Sequence, residues 1–190
     1  MEADWEVEVG GESPVIEAQW PGFVDIEHTP QSAWLLPEAA KLPALAGTLA
    51  KLNAAVSPVW TSKSDVWPVT EFDPDELDAP ADAARCATAC YIDILPRSDQ
   101  MWPTLALTAQ WCKSICTCIR PVPLRCCRAD FVVRQAVLVP ERTDLGITAY
   151  LTACGQTPAN AAEVLTAALA VLSDSILLRS PAESAASKLQ

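Results

Sequence analysis

The sequence predicts an α+β fold, a two-layer sandwich whose mainly antiparallel sheet carries helices on one face. Three observations predict it. Runs such as "RCATACYIDIL" and "LRCCRADFVVRQAVLV" alternate apolar and polar residues with the period of half-buried strands. Segments with helical period lie between them, and 51% of the chain is apolar, enough for a real core. The element order is β-β-α-β, a loop, then β-α-β-β-α. Read from residue 14, it contains the β-α-β-β-α-β of a ferredoxin-like split βαβ, with a strand and a helix added.

The elements follow in order. "WEVEV" and "PVIEAQWPGFVDI" read as strands, expected to form a hairpin turning at "GGES". "PEAAKLPALAGTLAKLN" reads as one helix broken at Pro43 or as two short ones; Leu42, Leu45, Ala46, Leu49 and Leu52 form its apolar stripe. "PVWTSKSDVWPV" reads as a strand ended by Pro68. Strand alternation sets Trp60 and Trp67 on opposite sides, one buried and one exposed. The acidic "EFDPDELDAPADAA", residues 71–84, reads as an exposed loop, either a boundary between two domains or an insertion within one sheet. The chain is read as one domain over 1–180 with a flexible tail at 181–190.

In the second half, "RCATACYIDIL" puts Cys86, Cys90, Ile92 and Ile94 on one face and Arg85, Tyr91 and Asp93 on the other. A helix is expected from Pro103 to the residues before Pro121. In "LRCCRADFVVRQAVLV", Cys127, Ala129, Phe131, Val133, Val137 and Val139 make the apolar face. After the turn "PERTD", "LGITAYLTAC" returns with Leu145, Ile147, Ala149 and Leu151 inward. "TPANAAEVLTAALAVLSDSILL" has a natural N-cap in Thr157 and Pro158 at N1; Leu165, Ala168, Leu169, Leu172 and Ile176 form its stripe.

Charge narrows the function classes. Residues 1–84 carry sixteen acids and three lysines, a net of −13, and every arginine lies at or beyond Arg85. The chain total of −11 repels phosphate backbones, which disfavours a nucleic-acid partner. No run of about 18 apolar residues occurs, so no membrane span is expected. "MEADWEVEVGGE" does not read as a signal peptide, and a cytoplasmic location with free thiols is expected.

All eight cysteines lie between Cys86 and Cys154. On the central helix Leu105, Ala109, Cys112, Cys116 and Ile119 share one stripe, so Cys112 and Cys116 read as small core hydrophobes, as do Cys86, Cys90 and Cys127. Cys118, Cys126 and Cys154 fall away from that core. The spacing C-x3-C-x-C followed by CC gives a poor zinc or iron–sulfur site, and no metal or cofactor is expected. Cys126 sits between Arg125 and Arg128, which would favour a reactive thiolate.

The polar outer sheet face is the candidate surface: Tyr91, Asp93, Arg128, Asp130, Arg134 and Tyr150. A hairpin through "PERTD" is expected to set Arg134 opposite Tyr150 and Asp130 opposite Cys154, to within two residues. The ordinary reading is a solvated face with cross-strand ion pairs; the functional one is a groove or docking surface. His28 in its turn reads as exposed rather than as a general base, and "EFDPDELD" lacks the spacing and glycine of a calcium loop. No catalytic motif is present, so the expectation is a non-enzymatic module that binds a protein partner or itself. The alternative is an enzyme or small-ligand protein using Arg128, Asp130, Arg134 and Tyr150, with Cys126 as its thiol.

Overall fold

The computed structural model describes residues 1–18, 20, 22–80, 83–99, 101–138 and 142–178. The expected tail at 181–190 and the inward position of Val139 lie outside the described residues. The elements are β1 (Glu2–Glu8), β2 (Val15–Glu17), a 3-10 turn (Pro30–Leu35), α1 (Pro37–Lys41) and α2 (Pro43–Leu52). They continue with β3 (Val59–Val69), a short 3-10 turn (Asp75–Leu77), β4 (Cys86–Pro96) and α3 (Leu105–Ile119). β5 (Cys127–Leu138), β6 (Arg142–Gly155) and α4 (Pro158–Leu177) complete the chain.

The fold is α+β, with an open, mixed six-stranded sheet packed against helices. Strand order is β1-β5-β6-β4-β3, with β2 also paired to β5. β3, β4, β6 and β5 are joined antiparallel; β1 and β2 each run parallel to β5. The expected hairpin at "GGES" is therefore not formed. β1 lies beside residues 128–134 and β2 beside residues 135–137, so the two strands occupy successive stretches of one edge. The sheet does not show the ferredoxin-like order either. β6 folds straight back along β5, as closely connected strands do, and takes the place next to β4.

The acidic segment 71–84 is a connection within the sheet, because the strands on either side of it, β3 and β4, pair with one another. Pro68 does not end β3. It sits opposite Thr88 on an edge strand, where its missing N–H breaks no ladder bond the sheet needs.

One sheet face carries the main core. Cys90, Ile92 and Ile94 of β4, Cys127, Ala129, Phe131 and Val133 of β5, and Ile147, Ala149, Leu151 and Ala153 of β6 meet the helices there. Val137, on the same face by alternation, is exposed. Leu42, Leu45, Ala46, Leu49 and Leu52 are all buried, and Pro43 does split the helical segment in two.

The stripe expected for α4 is buried in full, and Thr157 caps it by accepting from the Asn160 amide at 3.2 Å. Each fully buried Leu or Ile contributes about 1.5–3 kcal/mol, far more than helical propensity, so this stripe decides how α4 sits. By length and composition α4 could also cross a membrane; in this fold its apolar side is taken up by the sheet and α2.

α3 begins two residues later than expected. Thr104 is its N-cap and accepts from the Leu107 amide at 3.3 Å, which leaves Pro103 outside. Its buried side is Thr108, Cys112, Ile115, Cys116 and Ile119, with Leu105 turned outward. The two cysteines lie in the core as expected, but the stripe is rotated toward Ile115. Of the eight thiols, Cys90, Cys112, Cys116, Cys127 and Cys154 are buried and none is paired in a disulfide.

Candidate functional site

The outer sheet face is not flat. Two small apolar clusters stand on it. At one end Ile16 and Ala18 fold over Leu95 and Ala136. Gly146 permits this: a Cβ there would come within 2.6 Å of Ile16 Cδ1. At the other end Leu77 and Ala79 of the acidic segment cover Ala87 and Cys154, with Val69, Phe72 and Cys126 alongside. Between the covered ends lies a groove of about 620 Å³.

Rows across the sheet order this outer face, and the groove takes some of their residues. The first row reads Asp4, Asp130, Tyr150, Tyr91 and Asp65. The next reads Glu2, Arg128, Thr152, Ala89 and Trp67. Glu6, Val132, Thr148 and Asp93 form another, and Glu8, Arg134 and Gly146 the last. The expected register is corrected by this. Asp130, not Arg134, stands opposite Tyr150, and Arg134 stands opposite Gly146, because β5 runs on to Leu138 and β6 already begins at Arg142.

Four of the six residues singled out from the sequence, Arg128, Asp130, Arg134 and Tyr150, line the groove together. Arg128 Nε donates to both oxygens of Asp130 at 2.8 and 2.9 Å, and its Nη2 lies 4.0 Å from Asp4. Arg134 pairs with Glu8 at 3.1 Å, and its guanidinium lies 5.6 Å from the centre of the Tyr150 ring. Its Nε is buried without a hydrogen-bond partner. Burial raises the pKa of Asp130 above the usual carboxylate value, against the opposing pull of Arg128.

Tyr91 and Asp93 lie on the same face but outside the groove lining. Tyr91 stands between Tyr150 and Trp67, with ring centres 6.1 Å apart on each side. Burial, then the Asp93 carboxylate, pushes its hydroxyl up to about 12. Asp93 is buried and accepts from the Thr148 hydroxyl at 2.6 Å; burial raises its pKa too.

The tryptophans correct a sequence expectation. A one-residue shift in the β3–β4 register between Thr61 and Ser64 puts Trp60 and Trp67 on the same face, both half-buried.

No family model matches the chain, and no curated protein or solved structure matches it. The geometry alone therefore carries the functional reading.

Sequence reasoning missed five of the six acids that line the groove. Asp4 and Glu6 come from β1, and Glu71, Phe72, Asp73 and Glu76 from the acidic segment. The alternation in "EADWEVE" does mark one carboxylate face, Glu2, Asp4, Glu6 and Glu8, but not the strand it pairs with. Cys126 does not line the groove; it packs behind Leu77, and Arg125 and Arg128 beside it are each engaged with a carboxylate. Cys154 is on the outer face as expected but buried, because the acidic segment covers it.

His28 lies away from the groove in an exposed turn, with its Nδ1 2.9 Å from Asp25. Among the described residues no three His, Cys, Asp or Glu side chains converge as a metal-binding group. In the acidic segment Asp73 accepts from the Asp75 amide at 2.9 Å and Asp78 holds Arg125, so both carboxylates have local roles.

Proposed function

We propose that the protein is a non-enzymatic binding module whose outer-face groove docks a lysine- or arginine-bearing segment of a protein partner. One observation carries this reading: the groove's charge balance. Asp4, Glu6, Glu71, Asp73, Glu76 and Asp130 line it against two guanidinium groups, each already paired with a carboxylate. A cationic guest meets unspent negative potential, and Tyr150 and Phe72 offer faces for its aliphatic stem or charge. A second copy of this chain, also at −11, is a poorer guest. Single exposed ion pairs contribute below about 1 kcal/mol each, so the affinity comes from several together and falls with salt.

The test uses fluorescein-labelled octalysine, with octaglutamate as control, in anisotropy titrations. Octalysine is expected to bind and to weaken as salt rises. The triple variant Glu71→Gln, Asp73→Asn, Glu76→Gln is expected to lose about tenfold in affinity, roughly 1.4 kcal/mol. Equal binding of the two peptides, or an unchanged variant, rejects the proposal.

One observation favours a second reading, a small-ligand protein or enzyme using Arg128, Asp130, Arg134 and Tyr150. The buried Nε of Arg134 has no acceptor in the fold, and a small polar guest could supply one. A thermal-shift screen of small carboxylates, with Arg134→Lys as control, separates the two readings.

A further inference from the structure

Cys126 and Cys154 lie opposite one another at the mouth of the β5–β6 hairpin. Cys127 faces Ala153 in the register, so one further step sets Cys126 against Cys154. The Cys154 amide donates to the Cys126 carbonyl at 2.9 Å, and both side chains belong to the same small apolar cluster. Directly opposed residues of an antiparallel pair have Cα atoms about 4.5–5.5 Å apart. Disulfides span about 4.4–6.8 Å between Cα atoms, a range that includes this spacing.

The other near pair fails this comparison. Cys112 and Cys116 are four residues apart on α3, where Cβ atoms lie about 5–6 Å apart, beyond the roughly 3.5–4.5 Å of a disulfide. Cys127 is adjacent in sequence but belongs to the main core on the other face of the sheet.

The two thiols also differ in access. Cys154 is buried under Leu77 and Ala79, whereas Cys126 is half-buried at the edge of that cluster. Cys126 has φ 62°, a left-handed conformation that is uncommon for a residue other than glycine. It is the last residue before the regular ladder of β5, where the backbone is least bound by sheet geometry.

We infer that Cys126 and Cys154 form a thiol–disulfide site, in which Cys126 reacts with a small-molecule disulfide and Cys154 resolves the product into a cross-strand bond. In the first step the Cys126 thiolate attacks one sulfur of the small disulfide. A mixed disulfide forms, and one small thiolate leaves and takes up the proton Cys126 gave. In the second step Cys154, having lost its proton, attacks the Cys126 sulfur. The mixed bond breaks, and the second small thiolate leaves and takes up that proton. Two protein thiols are oxidised and one small disulfide is reduced to two thiols. Burial followed by the Cys126 thiolate pushes Cys154 up to about 11, and the second of these causes disappears once Cys126 is in the mixed disulfide. The bond would lie beneath Leu77, at one end of the groove, but needs no guest in it.

The full chain is incubated with oxidised glutathione, quenched with an alkylating agent and mapped by mass spectrometry. The expected product is monomeric, reversible with phosphine, native by near-UV circular dichroism and cross-linked between Cys126 and Cys154. Cys154→Ser is expected to stop at the Cys126 mixed disulfide, and Cys126→Ser to leave Cys154 reduced. A link through Cys86 or Cys127, no intramolecular link, loss of the native spectrum on oxidation, or mixed disulfide at Cys154 in the Cys126→Ser variant would each overturn the inference. Octalysine is absent throughout, so failure here is separate from failure of the docking reading.

Discussion

Thr148 of β6 donates its hydroxyl to Asp93 of β4 at 2.6 Å, across a part of the sheet where both side chains are buried. That bond, with Lys63 and Arg134 nearby, lowers the carboxyl's pKa, but burial outweighs them and the net shift is upward from 3.8. Asp93 therefore binds its proton more tightly in the folded chain than in the unfolded one. The stability it allows is complete below about pH 3.8 and is lost as pH rises through the raised folded value. Asp93→Asn keeps an acceptor for Thr148 and removes the buried charge. It is expected to stabilise the protein at neutral pH by on the order of 1 kcal/mol, with the advantage shrinking toward pH 4. Urea melts at several pH values check this; a constant difference across the range would show that Asp93 is ionised without penalty.

Two glycines should respond differently to alanine. At Gly155 a new Cβ would meet the Ala161 nitrogen at 2.7 Å and the Asn160 carbonyl carbon at 2.9 Å, both backbone atoms in the first turn of α4. At Gly146 the clashing atoms are the tips of Ile16 and Leu95, which can rotate. Gly155→Ala should cost about 3 kcal/mol and Gly146→Ala about 1–2. The reverse order in thermal melts would mean that α4 shifts along β6 more easily than Ile16 turns.

Cys116 and Cys118 test the phase of α3. Cys116 is buried in the core and Cys118 half-buried at its side. Cys116→Ala is expected to destabilise by about 1–2 kcal/mol and Cys118→Ala by less than about 0.5. Equal effects in urea would place the helix in a different rotation.

Asp78 holds the acidic segment down. Arg125 donates to it at 2.9 and 3.1 Å and lowers its pKa below 3.8. This anchoring is present above the ordinary carboxylate value and is lost as pH falls through the lowered one. Asp78→Asn should loosen the cover over Cys154 at neutral pH. Native iodoacetamide labelling of Cys154 should rise several-fold in this variant while Cys112 and Cys116 stay protected; unchanged labelling would show that Leu77 and Ala79 hold the segment without the ion pair.

Local pattern carried much of the architecture. The stripe Leu165, Ala168, Leu169, Leu172 and Ile176 was legible because an amphipathic helix must bury one side whatever it packs on. The inward residues of β4, β5 and β6 were legible for the same reason with period two. The polar outer face, with Tyr91, Asp93, Arg128, Asp130, Arg134 and Tyr150, followed from that alternation. What alternation does not encode is the partner strand. "WEVEV" has the same pattern whether it pairs with its neighbour or with β5, and pairing with β5 is what brings Asp4 and Glu6 to Asp130. The inserted residue between Thr61 and Ser64 leaves no mark on composition, yet it turns Trp60 to the side of Trp67.

The sequence by itself determined the element types, the sheet's two faces and the placement of Cys112 and Cys116 in the core, because each depends on periodicity within one segment. Only the tertiary structure decided the strand order, the β5–β6 register, the groove and the meeting of Cys126 with Cys154. Those are non-local pairings. Their free energy comes from apolar surface and backbone hydrogen bonds shared by segments far apart in the chain, as where Leu77 and Ala79 cover Cys154, and neither segment alone contains that information.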